Sequence, residues 1–362
     1  MDPSLLLPAP DPISVAPGWF EALRVTGFFA HLLLMNTVLG ASLIALALEM
    51  RTLVRGEAHR RLLHAAAEKI PTALALAVNA GVVPLLFLQV VYGHLFYTSS
   101  VLMAWSWLGV VGLVLVAYYG LYVYDLKYDA LARLALGRTA TLGVVAGCLL
   151  VTAFFFVNNM TLMLAPEYWT AYFKNPDGTL LNLADPTLWP RYVHFVLGSL
   201  AVGGLGLALL SERKREQDAT SAQKGVNLGL RWFGHATFFQ LLVGLWFLGA
   251  LPERVAARLL AGGAPTLVLA AGVACGLLSL LFAVKKLVRA AALATLVTLG
   301  FMVALREFVR TAALAPYFSP ADLTVAPQYS PMLFFFASLA VGLACIAWML
   351  RLAATSCKEQ RP

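Results

Sequence analysis

The chain has 362 residues, 60% of them hydrophobic and only 12% charged, with a mean hydropathy of +0.80. Soluble domains carry about twice that charged fraction, so the composition excludes an aqueous globular enzyme and places the chain in a bilayer. The net charge of +8 does not indicate nucleic acid, because the Lys and Arg residues fall between apolar runs, where membrane topology puts them.

The first 26 residues hold Pro3, Pro8, Pro10, Pro12 and Pro17 and no basic n-region, so they read as an outer arm and not as a cleaved signal peptide. Charge-poor runs follow at 27–48, 70–96, 101–124, 139–164, 192–210, 232–251, 265–284, 287–305 and 332–350. Each approaches the roughly 20 residues that cross about 30 Å of hydrocarbon, and lipid leaves the backbone no option but helix. The prediction is an all-α integral membrane protein: an arm at 1–26, a nine-helix membrane domain at 27–354 and a tail at 355–362. Lys and Arg counted on alternate sides divide 19 to 7 among the 26 present. This puts the N-terminus outside, the C-terminus in the cytoplasm and the chain in the cell inner membrane. The basic stretch 51–69 reads as an interfacial amphipathic segment containing His59 and His64. The segment 165–191 reads as a structured outer loop, with Trp169 and Trp189 as interface anchors. No internal repeat pairs the spans into halves.

Ionisable residues inside spans are the candidates for chemistry, because their desolvation must be compensated. His31, His94 and His194 fall in spans 1, 2 and 5, each near the outer end, and the predicted topology gives them one common depth. Imidazole is a common haem ligand, and small neighbours (Gly27 and Ala30, Gly93, Gly198) would admit a porphyrin. The alternative is that such histidines only hydrogen-bond between helices. His235, at the other end of span 6, reads as structural or interfacial. Arg306, Glu307 and Arg310 follow span 8 directly, and Arg191 lies one turn before His194. These groups could hold haem propionates or bind and deprotonate a quinol, or the arginines could simply snorkel while Glu307 pairs with one of them. Asn36, Gln89, Asn158 and Asn159 are the polar side chains expected to be buried near that face, whereas Glu49 and Asp125 are expected to be solvated. Cys148, Cys275, Cys345 and Cys357 are too dispersed for a disulfide framework or thiolate cluster.

The run "HLLLMNTVLGASLIALALE" from His31 to Glu49 resembles the first helix of cytochrome bd-type quinol oxidase subunit I. "NPDGTLLNLADPTLWPRYVHFVLGSLAVGG" around His194 resembles its outer loop and fifth helix, and "VACGLLSLL" from Val273 its seventh. The resemblance implies that His31 is the axial ligand of a high-spin haem and His194 one axial ligand of a low-spin haem b. The family's methionine ligand falls near Gly272, where there is no Met, and His94 is the candidate replacement. The family's glutamate in helix 8 falls near 305–310, where Glu307 is the carboxylate available but the Glu-x-Gly-Arg-Gln-Pro-Trp signature is absent. The acidic pair of the family's third helix is missing, and only 252–264 stands where members carry a long quinol-binding loop.

These departures favour a haem b-containing electron-transfer subunit of a quinol-linked oxidoreductase over an oxygen-reducing oxidase. It would exchange electrons between the quinone pool and other subunits, including an outer-face cytochrome c. A haem-poor scaffold subunit of a respiratory complex, and a transporter, remain the competing classes.

Overall fold

The computed structural model describes residues 3–56, 63–64, 67–134 and 136–359. His59 and parts of the 51–69 segment and of the tail lie outside the described residues. Nine helices among the described residues are long and apolar enough to cross a membrane. They are α1 (Pro17–Arg55), α2 (Ile70–Leu102), α3 (Ala104–Leu126), α4 (Gly137–Leu164), α5 (Leu188–Arg213), α6 (Ala219–Ala250), α7 (Ala264–Val284), α8 (Val288–Leu314) and α9 (Tyr329–Glu359). Proline within the first turn starts α1, α2 and α7, where its missing N–H costs no helical hydrogen bond.

All nine expected spans are present, but several helices are longer than the apolar runs. The first helix begins at Pro17, inside what reads as the arm. With 39 residues it is about 58 Å long at 1.5 Å per residue, more than the hydrocarbon thickness. The eighth helix continues to Leu314, so Arg306, Glu307 and Arg310 lie within it and not beyond its end. Composition marks where apolar residues stop, whereas a helix continues for as long as its backbone groups and buried charges find partners.

Side chains exposed to the surroundings are overwhelmingly apolar, including Trp105, Leu108, Leu245, Leu267 and Phe334, the pattern of a lipid-facing surface. The centre is built on α1, which packs against α2, α4 and α5, while α5 packs in turn against α6. Close approach of α1 and α5 depends on Gly40, since a Cβ there would run into the Ser199 carbonyl. The helix α9 stands apart, touching the bundle through Trp19 with Phe336 and Phe87 with Phe335, ring centroids 5.8 and 6.0 Å apart.

The arm is strapped to the bundle. Ile13 pairs with the 324–326 segment through its N–H to Thr324 O (2.9 Å) and its carbonyl from Ala326 N (2.8 Å). These residues define the arm face of the bundle. The 165–187 segment lies on the same face, and its Trp169 is buried, donating Nε1–H to Leu162 O at 2.8 Å. Trp169 is therefore a core anchor of the loop, and only Trp189 is exposed as an interface residue would be.

At the opposite face Glu49 is 2% exposed, contrary to the expectation that it is solvated. It accepts from Tyr124 Oη at 2.8 Å and lies 3.6 Å from Arg138 Nε, whose guanidinium stacks on Tyr128. Pairing is what makes that burial tolerable. Asp125 is half-buried.

Candidate functional site

The parallel helices α1 and α5 both start at the arm face. Ser199 Oγ donates to Asn36 Oδ1 at 2.9 Å, and these residues lie five positions after His194 and His31. The two histidines therefore share one depth, as the sequence predicts.

His94 does not. His31 Nδ1 lies 2.8 Å from Ala77 O, and the His31 ring lies against Gly81, so the level of His31 on α2 is 77–81. His94 is thirteen to seventeen residues farther along that helix, about 20–25 Å nearer the arm face. Its ring packs edge-on to Phe318, centroids 4.5 Å apart. The common depth expected for three histidines thus holds for two. The discrepancy arises because α1 begins ten residues earlier than its apolar run, which sinks His31 into the bundle.

The surroundings of the two paired histidines differ. A carbonyl can only accept, so the His31–Ala77 bond requires a proton on Nδ1 and leaves Nε2 of the neutral ring with its lone pair. Nε2 has no hydrogen-bond partner among the described residues. The His194 ring instead meets Gln240 of α6, Nε2 to Nε2 at 3.1 Å. His194 Nδ1 and Gln240 Oε1 are both buried without partners among the described residues. Turning the Gln240 amide over would let its oxygen accept from His194, since amide orientation is assigned from the network. Gln240 was not singled out from the sequence. Its only signal there is a polar side chain inside an apolar run.

Above His31, toward the arm face, Glu307 is surrounded by arginines. Its Oε2 accepts from Arg24 Nη2 (2.6 Å) and Arg310 Nη1 (2.7 Å), and its Oε1 from Arg306 Nη1 (3.3 Å). Arg24 and Arg310 are 3% exposed and both stack on the ring of Tyr92. That tyrosine sits at a break in α2, with φ −121° and ψ 23°, eight residues after the internal Pro84. Arg306 lies over the ring of Phe28 and donates to Met160 Sδ. Glu307 therefore pairs with three arginines, where the sequence suggested one. Arg24 is the member that sequence reasoning missed, because it sits in what reads as the arm. A second carboxylate, Glu21, accepts from the Tyr92 hydroxyl at 3.4 Å on the ring that both arginines share, so three guanidinium groups face two carboxylates and the cluster keeps one positive charge in excess.

Arg191 begins α5 beside it, its guanidinium over Phe247 at 5.1 Å and its Nε buried without a partner among the described residues. It lines a cavity of about 110 Å³ at the arm-face ends of α4, α5, α6 and α8, together with Thr161, Tyr168, Asp185 and Arg254. Burial first, and then the Asp185 and Glu167 carboxylates, push the Tyr168 phenol above its ordinary value, so it stays a hydrogen-bond donor. One wall is formed by 251–255, where the short helix Glu253–Leu260 buries Val255 and Leu259 against α8.

Asn158 and Asn159 are fully buried and Asn36 nearly so, while Gln89 is half-buried. Asn159 bridges Ser99 and Ser100 of α2, and Asn158 accepts from Asn182 N of the 165–187 loop. These residues bolt the loop to α2 and α4. His235 is exposed, with Nδ1 2.7 Å from Arg231 O of its own helix. At position 272, Gly272 packs toward Phe301, with 3.3 Å between a built Cβ and Phe301 Cβ.

No family model matches the chain, and no curated protein matches it. Among solved structures, the bd oxidase from Geobacillus thermodenitrificans superposes with a TM-score of 0.71. That match covers 100% of this chain and 99% of the other at 13% identity. The chain has the fold of that bd oxidase, as the sequence resemblance implies.

Proposed function

We propose that this chain is a membrane subunit of a respiratory, quinol-linked electron-transfer complex, with a haem b held at His31 and its arm face outward. The observation that carries the reading is the stacking of two features: an imidazole with a free, oriented Nε2, and a buried, net-positive arginine cluster one to two turns above it. A buried charge without a counter-charge is costly. The two propionates of a haem b are the counter-charges this reading supplies, and Arg24, Arg306 and Arg310 would hold them by charge-assisted hydrogen bonds. When bound, the haem supplies one-electron transfer. The fit of the residues rests on the Nδ1–H bond to Ala77, the partner a ligating histidine needs at its other nitrogen.

The catalytic assignment for Glu307 changes in one respect. Both of its oxygens are occupied by guanidinium groups, so its role is to hold Arg24, Arg306 and Arg310 together and not to take a proton from quinol. The quinol headgroup is assigned to the cavity beside Arg191, where the Tyr168 phenol offers a donor and the Asp185 carboxylate an acceptor to its two hydroxyls. Electrons would pass to a partner at the outer face, and a cytochrome c fits that role. The bilayer is the inner membrane.

The second reading, a haem-poor scaffold subunit, is favoured by the engagement of His194 with Gln240 and by Gly272 at the expected methionine position. The visible spectrum of protein made with ample haem separates the two. Reduced-minus-oxidised bands of haem b that disappear in His31→Ala support the first reading, and their absence from the parent protein leaves the scaffold.

A further inference from the structure

We propose that Gly81 is the positioning residue that fixes the tautomer of His31. This inference rests on His31 being a metal-binding histidine, and it goes beyond that assignment by naming what makes it one. The half-buried imidazole spans from α1 to α2, where Nδ1 reaches Ala77 O at 2.8 Å. That carbonyl belongs to the helical ladder, where the pattern pairs it with the N–H of Gly81; its second lone pair is free for the imidazole. The approach is possible because position 81 has no side chain. A Cβ built there would stand 2.7 Å from His31 Cε1, 2.8 Å from Nδ1 and 3.4 Å from Nε2, the first two closer than real Cβ contacts. The opposing atoms are those of the edge that makes the hydrogen bond, so the ring could give way only by moving off the carbonyl. Three chain positions thus act as one device: Ala77 supplies an acceptor, Gly81 clears the path to it, and His31 is left protonated on Nδ1 with the lone pair on Nε2.

The device has a consequence that a merely space-filling glycine would lack. If Gly81 served packing alone, an added methyl would lower stability and leave the ring's protonation pattern unchanged. If it seats the imidazole, the methyl would release Nδ1, and the ring would be free to carry its proton on Nε2, where a metal could no longer bind without displacing it.

The test uses the full chain in detergent or nanodiscs with 15N-labelled histidine, comparing the parent, Gly81→Ala and Gly109→Ala. Position 109 is a helical glycine whose added Cβ meets nothing within 4 Å, so it controls for the change of residue. In haem-free parent protein the His31 signals are expected to show the Nδ1–H tautomer, and the Nε2–H tautomer in the parent would overturn the proposal whatever the variants do. Gly81→Ala is expected to lose the Nδ1–H signature and, after loading with haem, to retain less than a third of the parent's haem; Gly109→Ala is expected to match the parent in both. An unchanged tautomer in Gly81→Ala, or full haem retention despite a changed one, would overturn it. Should Gly81→Ala fail to insert, the parent tautomer decides. A parent that shows the Nδ1–H tautomer but takes up no haem would remove the proposed function and leave the seat standing.

Discussion

His31 and Glu307 are the residues on which the proposed chemistry turns, and they make opposite demands. His31 must keep one nitrogen free, and His31→Ala is expected to abolish its haem signal while the chain still inserts, because the apolar pattern that drives insertion is untouched. Glu307 must keep none free. Glu307→Gln would leave three arginines in mutual repulsion around a neutral amide. Removing one partner from a buried ion cluster costs about 3–5 kcal/mol, and the loss should read as a lower unfolding temperature and as weakened anchoring of whatever anion the cluster holds. His94→Met is expected to leave the haem potential unchanged, since the ring sits against Phe318 about 20–25 Å along α2 from the level of His31. A shift in that potential would return His94 to the ligand set.

At the scale of elements, the 165–187 loop and the arm are held by few, strong anchors. Trp169 is the chief one, with its ring buried and its indole N–H on Leu162 O. Trp169→Ala is expected to cost about 3–5 kcal/mol by cavity formation. It should open the loop to limited proteolysis while α1 and α5 remain protected. The contact between α1 and α5 is fixed by Gly40, whose replacement by leucine would force the helices apart and break the Asn36–Ser199 bond. Because that bond keeps His31 and His194 at one depth, Gly40→Leu should perturb both histidines together, which the 15N signals of the two rings can register.

For the whole molecule, the reading requires the arm face outside and a redox role without oxygen reduction. Cysteine labelling of an introduced Lys174→Cys from the outside of intact cells, with no labelling of Lys214→Cys, is the expected topology result. Quinol supplied to the isolated chain is expected to produce no oxygen uptake; robust uptake would show a complete oxidase site and overturn the reading.

The sequence by itself determined the solvent and the architecture. A chain with 12% charge and nine long apolar runs has no choice but helices in lipid, because each unpaired backbone group in hydrocarbon is too costly. The step from His31 to Asn36, matched by that from His194 to Ser199, was also present in the residues, but the common depth they suggested for three histidines holds for His31 and His194 and fails for His94. Helix ends were not legible there. Hydropathy registers the apolar core of a helix, whereas α1 and α8 run on through Arg24 and Glu307, charges stabilised by partners 283 positions apart in the chain. The same blindness hid Gln240 beside His194, the burial of Glu49 and the seat that Gly81 makes for His31. Each is a contact between helices distant in sequence, and only tertiary packing decides which polar atoms meet and which remain free to bind.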